Sequence, residues 1–288
     1  MTEARIHRST TSKSDVAVQT ASWLALVALL VPLGLIVGDL LMRGATSLSP
    51  QFLVDSPSKA GREGGIGPVL LSTLLVMGVC LLVVVPLGLA AAIGLNEYLR
   101  RGGFAVRTVR IALDVLAGTP SIALGMFGYA FFCIALGMGV SILAGGLTLA
   151  CMVMPLYVRL SEQALRTVPD DVRAAADALA LRRYTAILRI VLPVAAPGLF
   201  AATGLALARA LAETAALLFT SGYVSRTPGS LLDPGRVLAV HIFDLSMNVP
   251  GGDGPAYATA LVLVALLLSV SGVPRLVRGF TRRWSHPV

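Results

Sequence analysis

The sequence predicts an all-α integral membrane protein with six transmembrane helices. Three observations predict it. The first is composition: hydrophobic residues make up 56% of the 288 and charged residues 13%, with a mean hydropathy of +0.83. A soluble domain carries about 25% charged residues. Half that density cannot cover a globule of this length, which argues against a soluble enzyme and excludes a disordered chain. The second is that the apolar residues gather into stretches of the roughly 20 residues that cross a bilayer. The third is the uneven placement of Lys and Arg between alternate connections.

The elements follow in order. Residues 1–20 form a polar start, and Thr2–Asp15 is expected to be disordered. The first span is Ala21–Met42. It is too long for the apolar region of a signal peptide and no clean cleavage site follows it, so it is expected to be retained. Asp39 lies near its outer end, within reach of the interface. The second span is Pro68–Leu95 and the third Ala112–Leu136. Asp114 opens the third, where a carboxylate suits a helix N-terminus. Gly118-Thr119-Pro120-Ser121 then kinks it, because proline removes a helix hydrogen bond. The fourth span is Gly139–Leu160. A connection over residues 159–191 has no glycine and the composition of a helix. Val194–Phe219 is the fifth span and Ala256–Val277 the sixth. Between them Thr220–Pro255 is rich in Gly and Pro, with Val237–Leu245 apolar enough for a short re-entrant or interfacial helix. His241 in that segment is expected at a surface or interface, and His7 and His286 are terminal. The organisation is thus 1–20 polar start, 21–277 membrane domain and 278–288 basic end.

Orientation follows from the basic residues. The start, the second and fourth connections and the C-terminus carry 17 of the 23 Lys and Arg, and the other side carries five. Cytoplasmic loops collect such residues, which places both termini in the cytoplasm. The net charge of +8 is therefore topological rather than a nucleic-acid footprint, since no basic patch with aromatics exists. Cys80, Cys133 and Cys151 lie in apolar stretches at spacings that match no disulfide or metal pattern, and act as small hydrophobes.

The loop over residues 159–191 invites two readings. Pro169 followed by Asp170 and Asp171 is a good helix start, and Ala174–Leu181 has high helix propensity. Such a helix is either a surface connector or a docking helix whose Leu179 and Leu181 enter a partner's cleft. The string Arg173-Ala174-Ala175-Ala176-Asp177-Ala178-Leu179-Ala180, followed by Ile190-Val191-Leu192-Pro193, resembles the EAA loop of ABC-importer permeases. There the pattern is roughly Glu-Ala-Ala, then Gly, then Ile-x-Leu-Pro. Here the Glu position holds Arg173 or Ala174, and the Gly position holds Ala180. The resemblance implies a coupling helix, Arg173 to Ala180, seated in a groove of an ATPase subunit.

Arg209 lies deep inside a span, and Glu213 follows it by four. That spacing puts both on one helix face, about 6 Å apart along the axis. Charges at membrane depth are costly, so they are functional candidates, with a structural salt bridge as the bland alternative. The string Arg209-Ala210-Leu211-Ala212-Glu213-Thr214-Ala215-Ala216-Leu217 resembles Arg-x-x-Gly-Glu-Thr-Ala-Pro-Leu of phosphate ABC transporter permeases of the PstA type. Ala212 stands for the Gly and Ala216 for the Pro. Gly64-Gly65-Ile66-Gly67-Pro68, Asn96-Glu97-Tyr98 and Ala117-Gly118-Thr119-Pro120-Ser121-Ile122 resemble the same family, from about residue 64 to the end.

The resemblance implies a type I ABC importer permease fold in a bacterial plasma membrane. It implies a substrate path at Arg209, Glu213 and Thr214, with Thr119 and Ser121 as further candidates. Implied partners are a homologous PstC-like permease, an ATPase subunit dimer, an external phosphate-binding protein, phosphate and membrane lipid. No cofactor is implied, and no nucleic acid. The chain has no Gly-rich loop with Gly-Lys-Ser/Thr, so ATP hydrolysis is expected on a separate subunit. Two other classes compete. A secondary anion carrier would show inverted repeats, and none is evident. A membrane-embedded lipid-phosphate enzyme needs convergent acids, bases or metal ligands, whereas the three His lie outside the expected spans and the carboxylates are dispersed.

Overall fold

The structure, a computed structural model, describes residues 13–99 and 103–282. Residues 2–12 of the polar start, and Arg5, Arg8, Arg100, Arg101 and Arg283 of the charge count, lie outside the described residues. Of the stretch expected to be disordered, Lys13–Asp15 are described, and helix α1 (Lys13–Ser47) begins there. Asp15 in its first turn favours the positive end of the helix dipole. No residue from 15 to 43 of α1 is buried. The helix meets α12 at one end, where Gly44 approaches the Tyr257 carbonyl and Leu261.

Short elements link α1 to the core. Helix α2 (Pro50–Val54) is capped by Ser49, whose Oγ accepts the Phe52 N–H at 3.1 Å. Strands β1 (Pro57–Ser58) and β2 (Glu63–Gly64) form an antiparallel ribbon. Helix α3 (Gly67–Ile93) runs on through a wider π-type turn, Gly94–Tyr98. Then come α4 (Phe104–Gly118), α5 (Ser121–Gly128) with its extension Tyr129–Ala135, and α6 (Ile142–Arg166). Helix α7 (Asp170–Ala178) precedes α8 (Arg183–Ala186), which continues through Ile187–Val191 into α9 (Leu192–Leu211). Helices α10 (Ala215–Thr220), α11 (Leu238–Met247) and α12 (Asp253–Arg282) complete the chain.

Among the described residues, five helices are long and apolar enough to cross a membrane: Asp15–Ser47, Gly67–Tyr98, Ile142–Arg166, Arg183–Leu211 and Asp253–Gly272. The third expected span departs from expectation. Instead of one kinked helix over Ala112–Leu136, α4 and α5 meet at 103°. Proline disfavours the helical region for its predecessor, so Thr119 is extended, with ψ of 131°, and Pro120 follows with ψ of 139°. Asp114 accordingly does not open a span. It sits late in α4 and pairs with Arg159 of α6, while Arg110 of α4 pairs with Glu162 of α6 at 2.7 Å. These two pairs hold α4 across the end of α6.

The core centres on α3 and α6, the most extensively packed pair. A Cβ on Gly146 would come within 2.6 Å of Val79, so the absent side chain lets the two backbones approach. Val76, Cys80 and Val84 of α3, Leu149, Val153 and Tyr157 of α6, and Ala202, Ala206 and Ala210 of α9 form one cluster. Cys133 is also buried and Cys151 half-buried. All three cysteines lie in helical turns, as small hydrophobes do.

The segment expected as a short helix is helix α11. Its Leu238 N–H donates to Thr73 Oγ1 of α3 at 2.9 Å. His241 is not the surface residue expected: it is 1% exposed. Arg236 Nη1 lies 3.3 Å from its Nδ1 and also donates to Asp244 at 2.8 Å. The guanidinium further caps the Tyr223 carbonyl at 2.8 Å, so one arginine binds the connecting loop to α11. Burial and the Arg236 charge push the His241 pKa down to about 4.

Candidate functional site

The fifth span was expected to run unbroken over Val194–Phe219, carrying Arg209 and Glu213 on one face. It breaks instead. Helix α9 ends at Leu211, Ala212 is its C-cap, and α10 starts at Ala215. Beside the break, the carboxylate of Glu213 accepts from the Ala216 N–H of the new helix at 3.4 Å. Glu213 thus lies past the end of α9, yet the pair forms: Arg209 Nη1 donates to Glu213 Oε2 at 2.7 Å.

Their environments differ. The Glu213 side chain is 5% exposed and that of Arg209 45% exposed. The carboxylate is fixed from two sides in the protein, whereas the rest of the guanidinium fork faces out and donates to no other described acceptor. Thr214 is half-buried at the N-cap of α10.

The two breaks are neighbours. A Cβ on Gly125 of α5 would lie 2.7 Å from Ala216 Cα of α10, and Cys133 Sγ reaches the Thr220 carbonyl at 3.9 Å. Both contacts advance in the same sense along the chain, so the segment from α5 to its extension runs parallel to α10. Their starts, Ser121 and Thr214, lie at the same end. Thr119 and Ser121 are half-exposed there, and the Thr119 hydroxyl donates to the Val115 carbonyl at 2.8 Å.

The second candidate is α7. It starts after Pro169 with Asp170 and Asp171 in its first turn, as expected. It ends at Ala178 rather than Leu181. The Leu181 N–H bonds the Ala176 carbonyl at 3.2 Å and the Ala180 N–H bonds the Asp177 carbonyl at 2.9 Å. Those two bonds make a Schellman stop, which requires a left-handed residue. Ala180 is that residue, at φ 51°. Six of the eight candidate coupling residues, Ala174, Ala175, Asp177, Ala178, Leu179 and Ala180, are exposed. Leu179 is 71% exposed. Arg173 and Ala176 face the body instead, and with the half-buried Leu181 they line a cavity of about 330 Å³ beneath the helix.

Sequence reasoning missed the polar supports of this end. Glu97 stood out only as part of a resembling string, yet it accepts from both Arg173 and Asn96. The pairing of α4 with α6 through Glu162 and Arg159 joins residues 45 to 52 positions apart, beyond any local signal.

The comparisons agree with this architecture. The family model described as "Binding-protein-dependent transport system inner membrane component" matches residues 84–283. The probable ABC transporter permease protein YqgI of Bacillus subtilis (strain 168) is 30% identical over 244 residues, 80% of this chain and 83% of that protein. The phosphate transport system permease protein PstA of Mycobacterium leprae (strain TN) is 38% identical over 211 residues, 72% and 68% of the two chains. PstA 1 of Mycobacterium tuberculosis (strain ATCC 25618 / H37Rv) is 39% identical over 160 residues. That match covers 56% of this chain and about half, 51%, of the relative. A structure of the MetNI methionine ABC transporter in inward-facing conformations superposes with a TM-score of 0.57 at 19% identity, covering 75% of this chain and 94% of that one. At that identity the likeness shows the fold, a type I ABC importer permease fold. The broken spans, the exposed α7 and these matches together make the chain a member of the binding-protein-dependent transport system inner membrane components, with relatives of the PstA type.

Proposed function

We propose that this chain is the subunit through which inorganic phosphate passes a bacterial plasma membrane, with both termini cytoplasmic. It would act in an importer with a homologous PstC-like permease, an ATPase dimer and an external phosphate-binding protein. The organisation is a polar start over 1–20, a permease domain over 21–277 with its coupling loop at 159–191, and a basic end over 278–288. The single observation that carries the phosphate path is the half-open guanidinium of Arg209 beside a break in its span.

A planar guanidinium forks onto phosphate oxygens and keeps its charge at any working pH. Glu213 neutralises part of that charge, which keeps the site weak enough to release the anion. An ionised carboxylate only accepts hydrogen bonds, so it takes one from a phosphate hydroxyl and repels a fully deprotonated tetrahedral anion such as sulfate. Thr214, Thr119 and Ser121 offer hydroxyls near the same breaks. The ATPase would dock on the exposed face of α7, where Ala178 and Leu179 stand out.

Uptake of labelled phosphate by membranes with matched protein levels tests the path. Arg209→Ala should abolish it. Arg209→Lys keeps the charge without the fork and should impair it, and Glu213→Gln should admit sulfate. Normal uptake by Arg209→Ala would return the pair to a structural bridge.

A further inference from the structure

Resting on the reading of α7 as the ATPase docking helix, we infer that Arg173 is a positioning residue: through Glu97 it bolts that helix to the packed core. The sequence pattern treats Arg173 as part of the docking surface. The geometry turns it the other way.

One guanidinium joins three elements. Its Nη1 donates to the Val168 carbonyl at 2.7 Å, and its Nη2 donates to the Leu165 carbonyl at 2.9 Å. Leu165 lies in the last turn of α6 and Val168 just past its C-cap, a region where helices leave carbonyls exposed and favour a cation. The same Nη2 donates to Glu97 Oε1 at 2.9 Å, in the π-type extension of α3. A weaker contact at 3.4 Å reaches Asp170 in the first turn of α7. Glu97 is itself fixed by the Asn96 amide at 2.8 Å. The side chains of Arg173 and Glu97 are 25% and 11% exposed, so solvent screens the pair little.

The placement makes this more than a local brace. Helices α3 and α6 are the most extensively packed pair in the protein, and α9, which carries Arg209, packs on α6. Ala176, one turn after Arg173, is buried among the same cavity walls and gives α7 a seat but no directional bond. Without the bolt, α7 can tilt on its seat while its exposed face still docks. Motion of an ATPase would then be absorbed by the loop instead of reaching α3 and α6.

The test uses the complete importer, reconstituted in liposomes with its binding protein and inorganic phosphate. Two quantities are read: phosphate taken up per ATP hydrolysed, and the yield of a disulfide between Ala178→Cys and a cysteine scanned along the ATPase surface. Glu97→Gln is isosteric and changes the charge without changing the packing volume. It and Arg173→Gln should each lower the uptake per ATP about tenfold, the scale of a lost hydrogen bond to a charged group. The disulfide yield should stay at the parental level. The double variant should lose no more than either single one, because the two groups act as one bolt. Arg173→Lys should recover part of the ratio, because an ammonium keeps the charge and one contact. An unchanged ratio in Glu97→Gln, with the disulfide still forming, overturns the bolt. If no disulfide forms even in the parent with native Arg173 and Glu97, the docking reading itself has failed, and the bolt with it.

Discussion

Replacing Ala180 with glycine should stabilise the end of α7. Ala180 sits at φ 51°, where a side chain crowds the carbonyl, at a cost of roughly 1–2 kcal/mol for a residue with a Cβ. Glycine removes that crowding but frees the unfolded chain, which takes back about 0.4–1 kcal/mol. The net gain is about 0.5–1 kcal/mol, a two- to fivefold change in the opening equilibrium. The gain is local, because α7 is a short exposed helix that can open without the core. Its reporters are the two amides of the Schellman stop, Ala180 N–H and Leu181 N–H. Hydrogen exchange on the purified permease should slow at both by about two- to fivefold. Ala175→Gly is the contrast: it lies inside the helix, where glycine costs about 1 kcal/mol, and should speed exchange. If Ala180→Gly leaves the rates unchanged, or speeds them as Ala175→Gly does, the strain argument is refuted.

Two further outcomes are expected. The folded-state pKa of His241 lies near 4, below its ordinary 6.5, so the unfolded chain binds more protons in that window. Stability is therefore complete above pH 6.5 and falls as pH drops towards 4, by up to about 3 kcal/mol. Thermal unfolding between pH 7.5 and 4.5 should show a steeper loss in the parent than in His241→Gln, and equal slopes would contradict the burial argument. Reporter fusions at Asp177 and Gly235 should give opposite sidedness, and finding both on one side would discard the span map.

The spans were legible because they depend on local composition, runs of apolar residues of the length that crosses a bilayer. The proline break at Thr119-Pro120 was legible as a kink. Its angle was not, because α4 is held across α6 by Arg110–Glu162 and Asp114–Arg159, and such partners are set by tertiary packing. His241 failed for a similar reason. Its ring is covered from far along the chain, by the loop at Gly61, and a histidine in a connecting loop is otherwise solvated.

The break after α9 had a signal of another kind. The family string carries Gly and Pro where this chain has Ala212 and Ala216, and those two residues mark a helix stop and a helix start. In this chain Ala-rich composition hides both, yet the backbone keeps the break. Ala212 sits at φ −79° and ψ −4°, an ordinary right-handed conformation, so alanine there carries no strain. That contrasts with Ala180, where the family glycine answers a left-handed backbone. At Ala216 the exchange adds something. Proline has no N–H, whereas the Ala216 amide donates to Glu213. The carboxylate beside Arg209 is therefore held by a guanidinium on one side and a helix start on the other. A proline at that position would leave only the guanidinium. The same substitution that erased the break from the sequence thus supplies a bond that holds Glu213 in place once the span has broken.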